Sequence, residues 1–260
     1  MPLILDRMNI TGNTIFIPGA TSGIGLALAI RLQAAGNIVI IGGRRTEVLA
    51  QLRIAHGFDA VHIDTADAAS IRRAAVEVIA AHPDLNVLIP MAGIMRLEDW
   101  HDDGFLADAE QIITTNLLGP IRLIAAFIEQ LRSRPDATIV TVSSGLAHAP
   151  LRVTPTYNAT KAGIHQLSET IRLQLADTSV KVLELVPPAV ATEILPGQSG
   201  SPFAMPLDEF ADETIQLIAT QPDAHEILVE NVKLLRFGEV RGDYAQTVEM
   251  LNRFDPHAAA

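Results

Sequence analysis

The feature that most constrains this chain is an alternation. Short β-branched and aliphatic runs at 14–17, 38–41, 60–63, 87–89, 138–142, 180–186 and 227–229 are separated by longer stretches of helical periodicity. Those stretches lie near 23–35, 46–55, 67–82, 103–132, 155–176 and 208–220. The short runs are nearly continuous in apolar character. A strand with one wet face alternates instead, so these strands are predicted to be covered on both sides. The repetition predicts an α/β fold with a doubly wound parallel sheet, an α/β/α three-layer sandwich. Right-handed crossovers bring every strand's C-terminal end to one edge, which is where ligands bind in such sheets.

The 260 residues, 48% of them hydrophobic, suffice for one large core, and no repeat, low-complexity tract or linker divides them. A single domain spanning 1–260 is expected. Residues 1–9 read as a short flexible tail. The Pro-, Gly- and Ser-rich stretch 195–206 marks a segment, 194–212, placed to act as a substrate lid. Residues 240–260 read as a C-terminal helix near 243–254 and a frayed tail beyond Pro256. A net charge of −11 disfavours nucleic acid, whose phosphates need clustered Lys and Arg. No apolar run approaches the roughly 20 residues of a membrane helix. Leu3-Ile4-Leu5 is too short for a secretory signal, so no membrane association and a cytoplasmic setting are expected. The absence of cysteine excludes disulfides, thiol nucleophiles and zinc–thiolate sites. The eight histidines show no metal-ligand spacing, so no metal is expected.

Directly after the first strand comes Gly19-Ala-Thr21-Ser22-Gly23-Ile24-Gly25, with Ile24 opening an apolar helix. Glycines permit the tight turn and let backbone approach a pyrophosphate, whose charge sits on the helix N-terminus. The alternative is an ordinary strand–helix turn; the strand–loop–helix setting favours dinucleotide binding. At the end of the second strand, Ile41-Gly42-Gly43-Arg44-Arg45 lacks the carboxylate that would hold the ribose 2′-OH of NAD(H). Two guanidiniums suit a 2′-phosphate. NADP(H) is therefore the expected cofactor, ahead of NAD(H).

Tyr157 and Lys161 stand one helical turn apart in Tyr157-Asn-Ala-Thr-Lys161. A phenol titrates near pH ~10 and must be shifted to exchange protons near neutrality; a nearby ammonium is the expected cause. Alone, such a pair is an ordinary surface contact. Its context is Ser144, at the end of the fifth strand and able to reach a substrate oxygen, and Asn116, an amide inside an apolar helix. As structure, Asn116 would satisfy backbone near Pro120; as function, it would anchor a relay water.

Together Asn116, Ser144, Tyr157, Lys161 and the glycine loop resemble the short-chain dehydrogenase/reductase family, over about residues 10–230. The segments His82-Pro-Asp-Leu-Asn-Val-Leu and Asn231-Val-Lys-Leu-Leu-Arg236 are similar to the oxidoreductases of lipoteichoic-acid D-alanylation operons. The resemblance implies a Rossmann-like fold and hydride transfer between nicotinamide and a carbonyl or alcohol. Tyr157 would protonate the carbonyl oxygen and Ser144 polarise it. Lys161 would hold the nicotinamide ribose and lower the tyrosine pKa, while Asn116 would position the relay water. Implied cofactor contacts are Gly19, Thr21, Ser22, Gly23, Ile24, Gly25, Arg44, Arg45, Asp64, Thr65, Ala92, Gly93, Tyr157, Lys161, Pro187, Val190 and Thr192. Asp64 would meet the adenine and Thr192 the nicotinamide carboxamide. A homo-oligomer is also implied, built on the helices near 103–132 and 155–176; the 226–236 segment departs from the family's tetramer-forming end and favours a dimer.

Three positions break the pattern at strand ends: Pro18, Pro90-Met91 and Pro188 stand where the family has threonine, two asparagines and glycine. These departures predict weakened or repositioned cofactor binding on an intact fold. Met95, Leu146, Leu151, Val153, Ile194, Phe203 and Met205 suggest an apolar pocket, hence a hydrophobic ketone, aldehyde or alcohol. The rivals are a dinucleotide-binding sensor or scaffold without turnover, and an epimerase or dehydratase using bound dinucleotide.

Overall fold

A computed structural model describes residues 10–221 and 223–253. Seven parallel strands form one sheet: β1 (Thr14–Pro18), β2 (Ile38–Gly43), β3 (Asp59–His62), β4 (Val87–Leu88), β5 (Ala137–Val142), β6 (Val180–Leu185) and β7 (Glu226–Ile227). Their order is β3-β2-β1-β4-β5-β6-β7, so the chain winds one way from β1 and the other way from β4. Between them run α1 (Gly23–Ala34), α2 (Thr46–His56), α3 (Ala68–Ala81), α4 (Leu106–Ile113), α5 (Gly119–Arg132), α6 (Pro155–Gln174) and α7 (Leu207–Thr220). Three short helices close the described chain: α8 (Lys233–Arg236), α9 (Gly238–Arg241) and α10 (Tyr244–Leu251).

The continuous apolar strands are explained by two cores. Ile15, Ile17 and Ile41 point into one with Leu28, Leu32, Phe210 and Ile218 from α1 and α7. Phe16 and Ile40, the intervening residues, point into the other with Ile71, Val78, Leu123 and Phe127 from α3 and α5. Strand residues alternate faces, and here both faces are dry. At the opposite edge from the ligand crevice, Asn13, Asn37 and Asn86 register the strands. Asn86 Oδ1 accepts the Thr14 N–H at 2.9 Å, and its amide donates to Asn13 and to the Asp136 carbonyl, both at 3.0 Å.

Three expectations change. Leu106–Arg132 is one continuous helix of 27 residues, long and apolar enough in length and composition to cross a membrane, contrary to the sequence reading. Its inner residues Ile112, Leu123, Phe127 and Leu131 are fully buried within the domain. It is continuous because Thr114–Leu118 forms a π turn between α4 and α5. The final helix is shorter than predicted, at Tyr244–Leu251. The 194–212 segment is not all loop, since α7 begins at Leu207. Its loop portion is tied at the base: Met205 bridges to Val190, with the Ala191 N–H donating to the Met205 carbonyl and the Met205 N–H to the Ala189 carbonyl, both at 2.8 Å. The predicted tail at 1–9 and the stretch beyond Pro256 lie outside the described residues.

Candidate active site

The reversal of winding between β1 and β4 opens a crevice at their C-terminal ends, and the sequence-predicted residues gather along that edge. Gly19, Thr21 and Ser22 connect β1 to α1, and Gly23, Ile24 and Gly25 open that helix. Gly19 has φ +103° and a Cβ there would lie 2.3 Å from the Ala92 nitrogen. Only glycine allows that approach. Gly23 has φ +56° and packs 3.4 Å from the Thr192 methyl, measured from the position of a Cβ. Ser22, the N-cap of α1, makes no side-chain capping bond, and the first turn carries no acidic residue. The leading N–H groups of α1 are thus left to an anion, and the cradle fits a pyrophosphate.

Pro18 and Pro90 do not break the crevice. The β1–β4 ladder runs through Ile15↔Val87 and Phe16↔Leu88, short of both prolines. Beyond it the Pro18 carbonyl accepts N–H groups from Met91 and Ala92, at 3.0 and 2.9 Å. A backbone carbonyl serves this tie whatever the side chain. On the far side the Gly145 N–H donates to the Pro187 carbonyl at 2.8 Å. Pro187, Val190 and Thr192 follow β6 on the same edge.

Arg45 reaches back from the start of α2 and donates to the Thr21 hydroxyl at 2.8 Å and to the Ser22 hydroxyl at 3.3 Å. Arg44 beside it is exposed. Asp64 and Thr65 follow β3; the Asp64 carboxylate accepts the Ala66 N–H at 3.0 Å, and Thr65 packs against Gly119. Ala92 and Gly93 follow β4, with Gly93 beside the Asn116 amide oxygen.

Asn116, Ser144, Tyr157 and Lys161 are all buried. Asn116 sits in the π turn, and its amide does not serve backbone near Pro120. It accepts the Ile94 N–H at 2.9 Å and donates to the Ile94 carbonyl at 2.8 Å, pinning the loop after β4. Its nitrogen also lies 3.5 Å from the Thr160 hydroxyl, which itself donates to the Tyr157 carbonyl at 2.8 Å. Ser144 caps the short helix Gly145–Ala147, accepting the Leu146 N–H at 3.1 Å. Its hydroxyl acts on the Tyr157 phenol, favouring the ionised form.

Burial pushes the Tyr157 phenol up to about 12, and the Ser144 hydroxyl pulls it partly back. The expected lowering by Lys161 is overturned: burial and Ser144 set the shift, and its direction is upward. The lysine Nζ donates to the Val142 carbonyl at 2.8 Å and stands 5.5 Å from the tyrosine ring centre. Burial lowers Lys161 to about 8, opposed by the negative charge of Glu184. Met95, Ile112, Ile94, Leu146, Leu151, Ile194 and Leu195 pack about Tyr157, as the apolar-pocket reading anticipates for most of them. Met205 joins the main core instead, Phe203 is exposed, and the Val153 carbonyl is occupied by the Glu98 N–H.

Glu98 was not singled out from sequence. It is buried, and its carboxylate accepts the Thr156 N–H at 3.2 Å, the Thr156 hydroxyl at 2.7 Å and the Trp100 indole at 3.0 Å. It caps the first turn of α6 immediately before Tyr157, where a carboxylate also meets the positive end of the helix dipole. A lone Glu in a loop, 58 residues from its partner, carries no local signal.

Residues 13–199 match the short chain dehydrogenase family. The chain is 38% identical over 252 residues to the uncharacterized oxidoreductase DltE of Bacillus subtilis strain 168, covering 94% of this chain and 98% of that protein. It is 32% identical over 182 residues to the NADPH-dependent 1-acyldihydroxyacetone phosphate reductase of Schizosaccharomyces pombe, covering 69% and 60%. Its fold superposes on a short chain dehydrogenase of Burkholderia cenocepacia J2315, solved with NADP, with a TM-score of 0.79 and 23% identity over 93% and 99% of the two chains. By the extent of the family match and the DltE identity, this chain is a member of the short chain dehydrogenase family of oxidoreductases.

Proposed function

We propose that the protein is an NADP(H)-dependent carbonyl reductase or alcohol dehydrogenase acting on a hydrophobic ketone, aldehyde or alcohol. The observation that carries this is the buried Ser144–Tyr157 pair beside the glycine cradle, at the sheet's point of reversal. The cofactor would be held by the α1 N-terminus through its pyrophosphate, by Asp64 and Thr65 at the adenine, and by Ala92, Gly93, Pro187, Val190 and Thr192 along the nicotinamide half. When bound, it supplies or takes up the hydride at the carbonyl carbon. Arg45 lies against Thr21 and Ser22 of the glycine loop, and Arg44 is exposed beside it in the chain, which supports the reading that they meet a 2′-phosphate. The reductase of Schizosaccharomyces pombe, NADPH-dependent by name, agrees with that preference.

The residues divide the remaining work. Ser144 holds the substrate oxygen next to the phenol. Tyr157 gives that oxygen its proton, and its raised pKa keeps it in the protonated form that reduction requires. Lys161 holds the nicotinamide ribose with its ammonium, and Asn116 keeps the loop after β4 in place and anchors a relay water. The apolar residues around Tyr157 exclude bulk water and select an apolar substrate. The loop portion of 194–206 serves as the lid. Leu106, Ile113, Leu118 and Ile121 leave an exposed apolar stripe on the α4–α5 helix, which supports a homodimer along it.

The test is fluorescence titration with NADPH and NADH. Micromolar NADPH binding, much weaker NADH binding, and loss of that difference in Arg44→Ala and Arg45→Ala are expected. A carbonyl screen with Tyr157→Phe as control follows. Failure to bind either nucleotide refutes the cofactor assignment.

A further inference from the structure

The histidines offer no metal-binding spacing along the chain, yet the fold brings two of them together with two carboxylates. His148 follows the short helix Gly145–Ala147, His165 lies on α6, Glu184 on β6 and Glu226 on β7. One ligand-capable atom from each lies within 4.8 Å of all the others. His165 Nδ1 is 2.9 and 3.1 Å from the two oxygens of Glu184 and 4.0 Å from Glu226. The ring of His148 meets that of His165 edge-on, with centroids 4.6 Å apart.

Two facts are hard to explain without an ion. His148 Nε2 is shut off from solvent and has no hydrogen-bond partner among the described residues, an arrangement that costs folding energy. Glu184 is fully buried, and its carboxylate is bonded by the Ser143 hydroxyl and the His165 ring; the Lys161 and Arg236 cations act on it through space, and neither forms an ion pair with it. Glu226 does have a cation: Arg236 of α8 grips its two oxygens at 2.8 and 2.9 Å.

We infer that His148, His165, Glu184 and Glu226 form a binding site for a divalent transition metal of the zinc class. Two imidazoles and two carboxylates suit zinc, cobalt or nickel better than magnesium or calcium. Tetrahedral zinc with ligands at about 2.0–2.2 Å sets neighbouring donor atoms roughly 3.3 Å apart. The His165–Glu184 and His165–Glu226 spacings bracket that value. Arg236 then acts as an outer partner that orients Glu226. The ion ties the loop bearing Ser144 and the helix bearing Tyr157 and Lys161 to the last two strands. It is a clamp behind the crevice and takes no part in hydride transfer.

The experiment uses the full chain without a histidine tag, stripped with chelator and titrated with cobalt(II). One equivalent should bind, with the intense visible bands of a tetrahedral site, and zinc should displace it. At about a hundred times Kd, the unfolding midpoint should rise by roughly 5–10 °C. His148→Ala, which removes a ring nitrogen that bonds nothing, should weaken binding at least 100-fold while leaving the metal-free midpoint within a few degrees. Glu226→Gln gives a second variant should the first misfold. No saturable binding overturns the site, as does a weak octahedral spectrum that both variants retain.

Discussion

Replacing Lys161 by methionine should change how stability depends on pH, by an amount the structure sets. The ammonium is buried, and burial lowers its pKa from 10.5 to about 8. Between those values the unfolded chain holds a proton that the folded chain has lost, so wild-type stability rises with pH across the window. The lysine's destabilising contribution is fully present below the folded value and is relieved as pH climbs toward the unfolded one. Integrated from pH 7 to 9.5, with about 1.36 kcal/mol for each unit of pKa, the relief is about 2 kcal/mol. Methionine fills the same channel without a titrating group. Urea unfolding of both proteins at the two pH values, in chelator, gives the difference in unfolding free energy. That difference should move by about 2 kcal/mol in favour of the wild type at the higher pH. The window stays below the titration of tyrosine, so Tyr157 does not intrude. A constant difference, or one of opposite sign, would show that Lys161 is not held in a dry site and would remove the physical basis for its assigned place.

Further outcomes are expected. Tyr157→Phe should cut turnover about 10²- to 10⁴-fold while leaving nucleotide affinity nearly intact, as read by steady-state rates alongside fluorescence titration. Gly19→Ala forces a Cβ to 2.3 Å from the Ala92 nitrogen at a positive φ, and should lower the thermal midpoint by several degrees and weaken dinucleotide binding together. Glu98→Ala removes the acceptor for the Thr156 N–H, the Thr156 hydroxyl and the Trp100 indole; denaturant unfolding should show a loss of about 2–4 kcal/mol, with Glu98→Gln intermediate.

The strand and helix pattern was legible because nearly every strand is buried on two faces, and continuous Val, Ile and Leu leave few other readings. The boundaries were less so. The β7 run at 227–229 shrinks to Glu226–Ile227, because Glu230–Val232 turns into a short helix that local apolar character does not reveal. The edge residues were found because each sits within a few positions of a strand end. What stayed hidden depends on contacts between remote segments. Glu98 meets Thr156 from 58 positions away, and Glu184 reads as one charge in an apolar strand until β5 and α6 place Ser143 and His165 against it. The Tyr157 pKa was misjudged for a related reason: helical spacing places the lysine one turn away, but the Val142 carbonyl draws its ammonium elsewhere.

The π turn at Thr114–Leu118 has a consequence for how this chain tolerates insertion and deletion. Each helical residue advances about 100° around the axis, so one residue more or fewer rotates everything beyond it by that angle. The turn's wider loop absorbs such an advance inside an unbroken helix. It lets α4 direct Ile112 toward Tyr157 while α5 directs Leu123, Phe127 and Leu131 into the sheet core. With one residue deleted between 114 and 118, the helix would persist but its two halves would fall out of phase. Either Asn116 would leave the Ile94 loop or the α5 face would turn from the sheet. The length of this five-residue stretch is therefore fixed by two neighbours at once, even where its side chains are free to vary.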